Sequence, residues 1–542
     1  MDVVRNSRRR GLLRRGGERR PALLAALSSI VMAAGTVLVA LTVSATPAAA
    51  AGTGTGFLRT NGNKIVDSTG ATVRLTGINW FGMETDNHTF HGLWAGRNAT
   101  WQMQIDHMAQ LGFNTIRVPY TGDSLRPGAQ ATSINTDSNP DLIGLSPLQI
   151  LDKVVERAGQ RGMRIILDRH RPSAAGQTPL WYTSSVSEAS MIADWQMLAQ
   201  RYAGNPTVIG ADLFNEPHAE GTDPNGTGAC WGCGVTARDW RLAAQRIGNA
   251  VLSANSNWLI FVEGVSCPSG GTPNSFDNIP DDPLTCDWWG GNLAAAAQFP
   301  VQLNVANRLV YAPHDYGISV FDRQPWFNDP NFPNNLPDIW DHFWGYLSKN
   351  NAAPIMLGEF GSTLANPLDT QWLTRLMSYL TSNGMSFTYW AWNPNSGDTG
   401  GIVQDDWVTV NQNKMNIIGP SLVPPVGGTP TTTPPSTSNP PGGTVSCTTS
   451  YALTNSWQGG FQAGLTVTNS GSSTWNNWRV TWTMPSGVTL SNGWNATVTQ
   501  SGTTFTAQAP SHATSLAPNA SATIGFTANG ASSPGATNIA CS

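Results

Sequence analysis

The ten residues Val208-Ile-Gly-Ala-Asp-Leu-Phe-Asn-Glu-Pro217 decide the fold. An apolar, β-branched run with little polar alternation reads as a strand covered on both faces, as in a parallel sheet flanked by helices. It ends abruptly in Asn215, Glu216 and Pro217. Comparable runs lie at Val73–Trp80, Thr115–Tyr120, Arg164–Asp168, Val208–Asn215, Trp258–Glu263, Leu309–His314, Pro354–Glu359 and Ser386–Trp392. Helical patterns separate several of them. Ser146-Pro147 caps one, with Leu148, Leu151, Val155 and Ala158 on a single face. A second would bury Ile192, Trp195, Ala199 and Tyr202, and a third runs from Arg238 to about Ala254. Eight strands alternating with helices predict an α/β domain, most simply a closed (β/α)8 TIM barrel. An open doubly wound sheet is the other arrangement. The glycine string Gly52-Thr-Gly-Thr-Gly56 follows no strand, so it is not read as a nucleotide loop.

Chemistry in such a barrel sits where the strands stop. The ends read Ile116-Arg117-Val-Pro-Tyr120, Leu167-Asp-Arg-His170, Phe214-Asn-Glu216, Tyr311-Ala-Pro-His314-Asp-Tyr316, Gly358-Glu359-Phe and Tyr389-Trp390-Ala-Trp-Asn393. Each run terminates in groups that are costly to bury without a partner. One such residue reads as a satisfied rim group; six ends converging on one rim read as a site. Glu216 and Glu359 stand out, because two carboxyl groups across a sugar ring are the minimal equipment for glycoside hydrolysis. Asp168, Glu263 and Asp398 read as supporting groups, and Trp80 as either core or cleft.

The rest of the chain frames that domain. Residues 1–20 hold eight Arg and only Asp2 and Glu18, and no charge follows from Pro21 to Thr46. The small-residue stretch Thr46-Pro-Ala-Ala-Ala-Ala51 then offers a cleavage site, so residues 1–50 read as a secretory signal peptide. The remaining chain carries 22 basic and 32 acidic residues, a balance unsuited to phosphate-rich partners such as nucleic acid. Low charge with 22 Trp suits a neutral, hydroxyl-rich ligand. The six cysteines fit an oxidising compartment and are read as disulfides Cys230–Cys233, Cys267–Cys286 and Cys447–Cys541 rather than as a metal site. Residues Pro424 to Gly443 read PPVGGTPTTTPPSTSNPPGG. Pro-rich chain stays extended, so this spacer would separate its neighbours by up to roughly 60 Å. Short alternating runs beyond it, such as Leu465-Thr-Val-Thr468 and Trp478-Arg-Val-Thr-Trp482, predict an all-β sandwich.

Several strings carry a more specific likeness. Asn215-Glu-Pro217 and Gly358-Glu-Phe-Gly361 on an eightfold β/α pattern resemble the family 5 glycoside hydrolases. Gly77-Ile-Asn-Trp-Phe-Gly82, His91-Gly-Leu-Trp94, Ile166-Leu-Asp-Arg-His-Arg-Pro172, Cys230-Trp-Gly-Cys233, Trp288-Trp-Gly-Gly291 and Trp392-Asn-Pro-Asn-Ser-Gly-Asp-Thr-Gly-Gly401 are similar to the actinobacterial endo-β-1,4-glucanases of that family. The resemblance implies Glu216 as acid/base, Glu359 as nucleophile and Asn215 on the sugar 2-hydroxyl. It implies that Arg117 favours ionised Glu359, that Tyr316 hydrogen-bonds the nucleophile, and that His314 points into the site. It places His170 on sugar hydroxyls, Trp390 under the ring at the cleavage point, and Trp94 and Trp289 along the cleft. Some relatives join the loops after strands one and three by a disulfide; Asp86 and Ser173-Ala174 stand there in this chain.

Residues 446–542 resemble a family 2 carbohydrate-binding module, through Asn455-Ser-Trp-Gln-Gly-Gly-Phe461, Val467-Thr-Asn-Ser-Gly471 and Trp494-Asn-Ala-Thr-Val-Thr499. That likeness implies an aromatic platform with Trp457 and Trp494. His512, after Ala509-Pro510-Ser511, stands where a third aromatic is usual. The expected organisation is a signal peptide 1–50, a catalytic barrel 54–422, a linker 423–445 and a binding module 446–542. The expected activity is that of a secreted, monomeric, retaining endo-β-1,4-glucanase without metal or cofactor, acting on cellulose or a related β-1,4-glucan and meeting no membrane after signal cleavage. A β-mannanase or xyloglucanase, or a non-catalytic polysaccharide-binding protein, are the alternatives.

Overall fold

The computed structural model describes residues 52–272, 285–425 and 447–541, except 458, 472–473, 511–513, 518–519 and 531–535. The expected signal peptide, nearly all of the spacer and His512 lie outside the described residues. None of the described helices is long and apolar enough to cross a membrane.

The barrel strands are β1 (Thr76–Asn79), β2 (Thr115–Thr121), β3 (Arg164–Arg171), β4 (Val208–Asp212) and β5 (Leu259–Val262). They continue as β6 (Leu309–Tyr311, resumed at His314–Tyr316), β7 (Met356–Leu357, resumed at Glu359–Gly361) and β8 (Ser386–Tyr389). All neighbours pair in parallel in the order β7-β8-β1-β2-β3-β4-β5-β6. The ring completes between β6 and β7. A Tyr311–Ile355 bridge joins them low down, and the pairs His314–Glu359, Asp315–Phe360 and Tyr316–Gly361 join them at the rim. This is the closed barrel, not the open sheet.

Alternation along each strand sorts the interior from the helix-facing shell. Ile165 and Leu167 pack with helix residues such as Val154 and Leu198. Ile166 instead joins Ile209, Leu259, Phe261, Val310 and Met356 in a separate apolar cluster inside the ring. A three-stranded antiparallel sheet (Arg59–Asn61, Lys64–Val66, Thr72–Val73) adds Leu58, Ile65 and Val73 to that cluster and stoppers the N-terminal end. The interior positions one step higher are polar, so the barrel changes from apolar to charged along its axis.

The helices form where expected, at Pro147–Gln160, Glu188–Arg201 and Trp240–Ala254, and Ser146 makes a full capping box with Gln149. The first buries Ile150 and Val154 beside Leu151, Val155 and Ala158, leaving Leu148 at the edge of its face. Val423 is still stitched to the barrel base, donating to Thr76 Oγ1 (2.9 Å) and accepting from Asn114 Nδ2 (2.7 Å). The Pro-rich stretch read from Pro424 follows directly.

The C-terminal domain is all antiparallel. One four-stranded sheet orders Cys447–Trp457, Gly460–Asn469, Ser521–Asn529 and Thr489–Trp494. The other orders Thr497–Ser501, Thr504–Gln508, Arg479–Thr483 and Thr537–Cys541. Their inner faces share a core of Phe461, Leu465, Trp478, Trp482, Phe505 and Phe526. Trp475, Trp478 and Trp482 are core, as read, and all three expected disulfides are formed.

Candidate active site

Arg117 sits inward on β2, almost wholly buried. Its Nε donates to Asp212 (2.8 Å), Nη2 to Glu263 (3.1 Å) and to Asn215 Oδ1 (2.9 Å), and Nη1 to Asn79 Oδ1 (3.0 Å) and Glu359 Oε1 (2.5 Å). Nη1 also lies 3.1 Å from Asp168. Burial alone would ease its proton off, but the four carboxylates hold its pKa well above the ordinary value. The second cation is His314, on β6 and 0% exposed. Its Nδ1 lies 3.0 Å from Glu216 Oε1 and its Nε2 3.2 Å from Glu263 Oε1. Against the pull of burial, Glu263, Glu359 and Glu216 raise its pKa well above the usual histidine range.

Two cations therefore face five carboxyl groups: Asp168, Asp212, Glu216, Glu263 and Glu359. Burial keeps part of this acid neutral, raising Asp168 to about 7 and Asp212 to about 6, and Glu263 well above its usual value. Three triplets bring donor atoms within 4.8 Å of one another: Asp168, His170 and Glu359; Glu216, His314 and Glu359; and Asp168, Asp212 and Glu263. Their oxygens already meet Arg117, Tyr316, His170, His314 and Gln177. The guanidinium among them does the charge compensation a metal would do.

One distance in that set bears on chemistry. A carboxylate oxygen of Glu216 and one of Glu359 come within 4.8 Å. Glu359 has a donor on each oxygen, Arg117 on Oε1 and the Tyr316 hydroxyl on Oε2 at 2.5 Å. Glu216 stands in the left-handed region, at φ +52°, which costs a side-chain-bearing residue about 1–2 kcal/mol. Its N–H donates to Glu263 Oε2 (2.7 Å) and its carbonyl lies 2.7 Å from His218 Nδ1, and these contacts hold the turn. Burial would raise the Glu216 pKa, but bonds from His314 and Gln177 bring it below its ordinary value.

The remaining expected residues take distinct places. His170 Nδ1 meets Asp168 Oδ2 at 2.7 Å, and burial lowers its pKa to about 4, so its ring is neutral near neutral pH. It stacks on Trp390 (centroids 5.4 Å), whose other partner is Phe81 (5.3 Å). Asn215, Glu216, Tyr316, Glu359, His170 and Trp390 line one open cleft. From Trp390 a chain of rings runs through Phe81 and His91 to Trp94, which is 40% exposed. Trp289, 48% exposed, also lines the cleft and stacks on His218 at 3.7 Å. Trp80 is core, with its indole N–H on the His91 carbonyl. Sequence reading passed over Gln177, Phe81, Asn79, Trp288, Phe321 and Asp287, which touch or line this cleft. Asn79 closes β1, and the others lie in loops past the strand ends, where no periodicity marks them.

The second aromatic site is on the C-terminal sheet. Trp457 pairs across from Gly460, and Trp494 from Gly525, all on the face opposite Phe461 and Phe526. Each ring lies over its glycine: a Cβ on Gly460 would meet Trp457 at 2.5 Å, and one on Gly525 would meet Trp494 at 2.0 Å. Glycine lets both indoles lie against the sheet.

Comparison with known proteins gives matches for both parts of the chain. Residues 66–396 match the family described as cellulase (glycosyl hydrolase family 5), and residues 447–541 match the cellulose binding domain. An endoglucanase of Paenibacillus polymyxa is 50% identical over 374 residues, covering 68% of this chain and 88% of its own. The major extracellular endoglucanase of Xanthomonas campestris is 41% identical over 505 residues, covering 89% and 96%. Among solved structures, a cellotetraose complex of the endocellulase from Pyrococcus horikoshii is 40% identical, with a TM-score of 0.62, over 68% of this chain and 98% of that one.

Proposed function

Since the chain belongs to glycosyl hydrolase family 5 and ends in a cellulose-binding domain, we propose that it is a secreted endo-β-1,4-glucanase that cleaves cellulose with retention of anomeric configuration. The observation that carries the mechanism is the approach of Glu216 and Glu359 to within 4.8 Å. Retaining glycosidases hold their carboxyl groups about 5–5.5 Å apart, whereas inverting enzymes leave about 6.5–9.5 Å for a water.

In the first half-reaction Glu359 attacks the anomeric carbon while Glu216 protonates the departing glycosidic oxygen. Arg117 and Tyr316 fix the attacking carboxylate from both sides. His314 Nδ1, 3.0 Å from Glu216, is the neighbouring store from which the proton reaches it. Trp390 supports the sugar at the cleavage point, with Trp94 and Trp289 extending the aromatic surface along the cleft. In the second half-reaction Glu216, now ionised, takes a proton from water, which attacks the glycosyl–Glu359 ester and releases the sugar. Export is supported by the uncharged stretch before Ala51, the three disulfides and the extracellular X. campestris relative.

The test is the configuration of the first product on soluble cellulose, read by proton NMR before mutarotation, with mannan and xyloglucan in parallel. The β-anomer from cellulose is expected; an initial α-anomer, or faster release from mannan, would refute the reading. Glu359→Ala should lose turnover by several orders of magnitude and regain it with azide, giving a glycosyl azide of inverted anomer. Glu216→Ala should keep activity on aryl cellobiosides with good leaving groups, which need little protonation.

A further inference from the structure

Both carboxylate oxygens of Glu216 already have a neighbour. Oε1 lies against His314 Nδ1 at 3.0 Å, and Oε2 accepts from Gln177 Nε2 at 2.7 Å. The first neighbour is on a barrel strand; the second comes from the loop after β3. That loop is built to a set position. Ser173 and Gly176 bridge across its turn, and Ala174 N–H donates to Asp123 Oδ2 at 2.8 Å. Arg169 donates to the carbonyls of Arg171 (3.0 Å) and Pro172 (3.1 Å). Gln177 follows that turn directly and lines the cleft.

A double displacement needs Glu216 in two opposite states, protonated for the first half and ionised for the second. An amide N–H donating to Oε2 favours the ionised form. It also leaves Oε1, beside His314, as the oxygen that exchanges the proton. We propose that Gln177 is a positioning residue that sets the proton balance of Glu216, holding it ionised for the water-activating half of the reaction. The inference rests on the double-displacement reading above. The other groups facing Glu216 are His314, Glu359, Glu263, Asp168, His170, His218 and Tyr316, from β3, β6 and β7, the end of β5 and the loop after β4. All of them stay in place when only Gln177 changes, so the pH profile isolates its effect.

The full chain carrying Gln177→Leu, and separately the isosteric Gln177→Glu, would be assayed on an aryl β-cellobioside with a good leaving group, where the second half-reaction limits. With Glu216 ionised in a smaller share of the intermediate, that intermediate accumulates, so kcat and KM should fall together by several-fold. The basic limb of kcat/KM, which reports the acid of the free enzyme, should move up by about half to one pH unit. The shift should be larger for Gln177→Glu, because a second carboxylate repels the first. A loosened loop would raise KM and leave the limb in place. A basic limb that stays in place in both variants, whatever kcat and KM do, would overturn the inference. If Glu216→Ala meanwhile keeps its activity on the aryl substrate, only the role of Gln177 falls. If Glu216→Ala loses that activity as fully as it loses cellulose hydrolysis, the double-displacement reading falls with it.

Discussion

Arg117 is the residue on which most of the buried charge depends, since Asp168, Asp212, Glu263 and Glu359 all meet its guanidinium. Removing one partner of a buried ionic cluster costs about 3–5 kcal/mol, because the remaining charge is left without compensation. Arg117→Met should therefore lose about that much stability in urea titration besides losing activity. Arg117→Lys keeps the charge but not the planar fork, and should fall between the two. His170 gives a pH dependence of definite sign. Its folded pKa, lowered to about 4 by burial, lies below the ordinary value of 6.5. The neutral ring thus contributes stability that is fully present above about pH 6.5 and is lost as pH falls through 4, on the order of 3 kcal/mol in all. The melting temperature should drop across that window, and His170→Asn should flatten the drop. Arg117, His170, Asn215, Glu216, His314, Tyr316, Glu359 and Trp390 stand out in the sequence, because each is a polar or aromatic group within or just past a short apolar run. Gln177 does not, since its place is set by a turn that Asp123 and Arg169 hold from elsewhere in the chain.

At the scale of elements, the eight barrel strands were legible because burial on both faces leaves long apolar runs. The small sheet stoppering the barrel was not. Its strands are two or three residues long and expose part of one side, so they carry almost no pattern. The interruptions in β6 and β7 were equally hidden. They matter, because Met356 faces the interior and simple alternation would turn Glu359 outward; the break at Gly358 returns it to the inside. In the C-terminal sheet the platform depends on two glycines as much as on two tryptophans. Gly525→Ala would put a methyl where the Trp494 ring now lies, at a backbone φ that alanine accepts. The ring must lift from the sheet. Adsorption to microcrystalline cellulose should weaken several-fold while chemical denaturation of the domain changes little. The double variant Trp457→Ala, Trp494→Ala should abolish adsorption.

At the scale of the whole molecule, a platform and a cleft joined by a Pro/Thr spacer raise the local concentration of substrate without altering the cleft. A chain ending after Pro425, which keeps the Val423 contacts to the barrel base, should retain kcat on soluble cellulose and lose rate on crystalline cellulose. Adsorption of the full chain should persist at high salt, because ring stacking on an uncharged polymer releases few counterions. An adsorption isotherm at low and high ionic strength checks this. The change of composition at Pro424 is legible in the sequence; that Val423 is bonded to the barrel base is not, because it rests on contacts with Thr76 and Asn114 far away in the chain. The seam between β6 and β7 has a further consequence. It pairs His314 with Glu359, so closing the ring there also brings the Glu359 carboxylate to Arg117 and Tyr316. Turnover therefore reports a closed seam, whereas helical signal does not: during refolding, turnover should lag behind the recovery of helical circular dichroism.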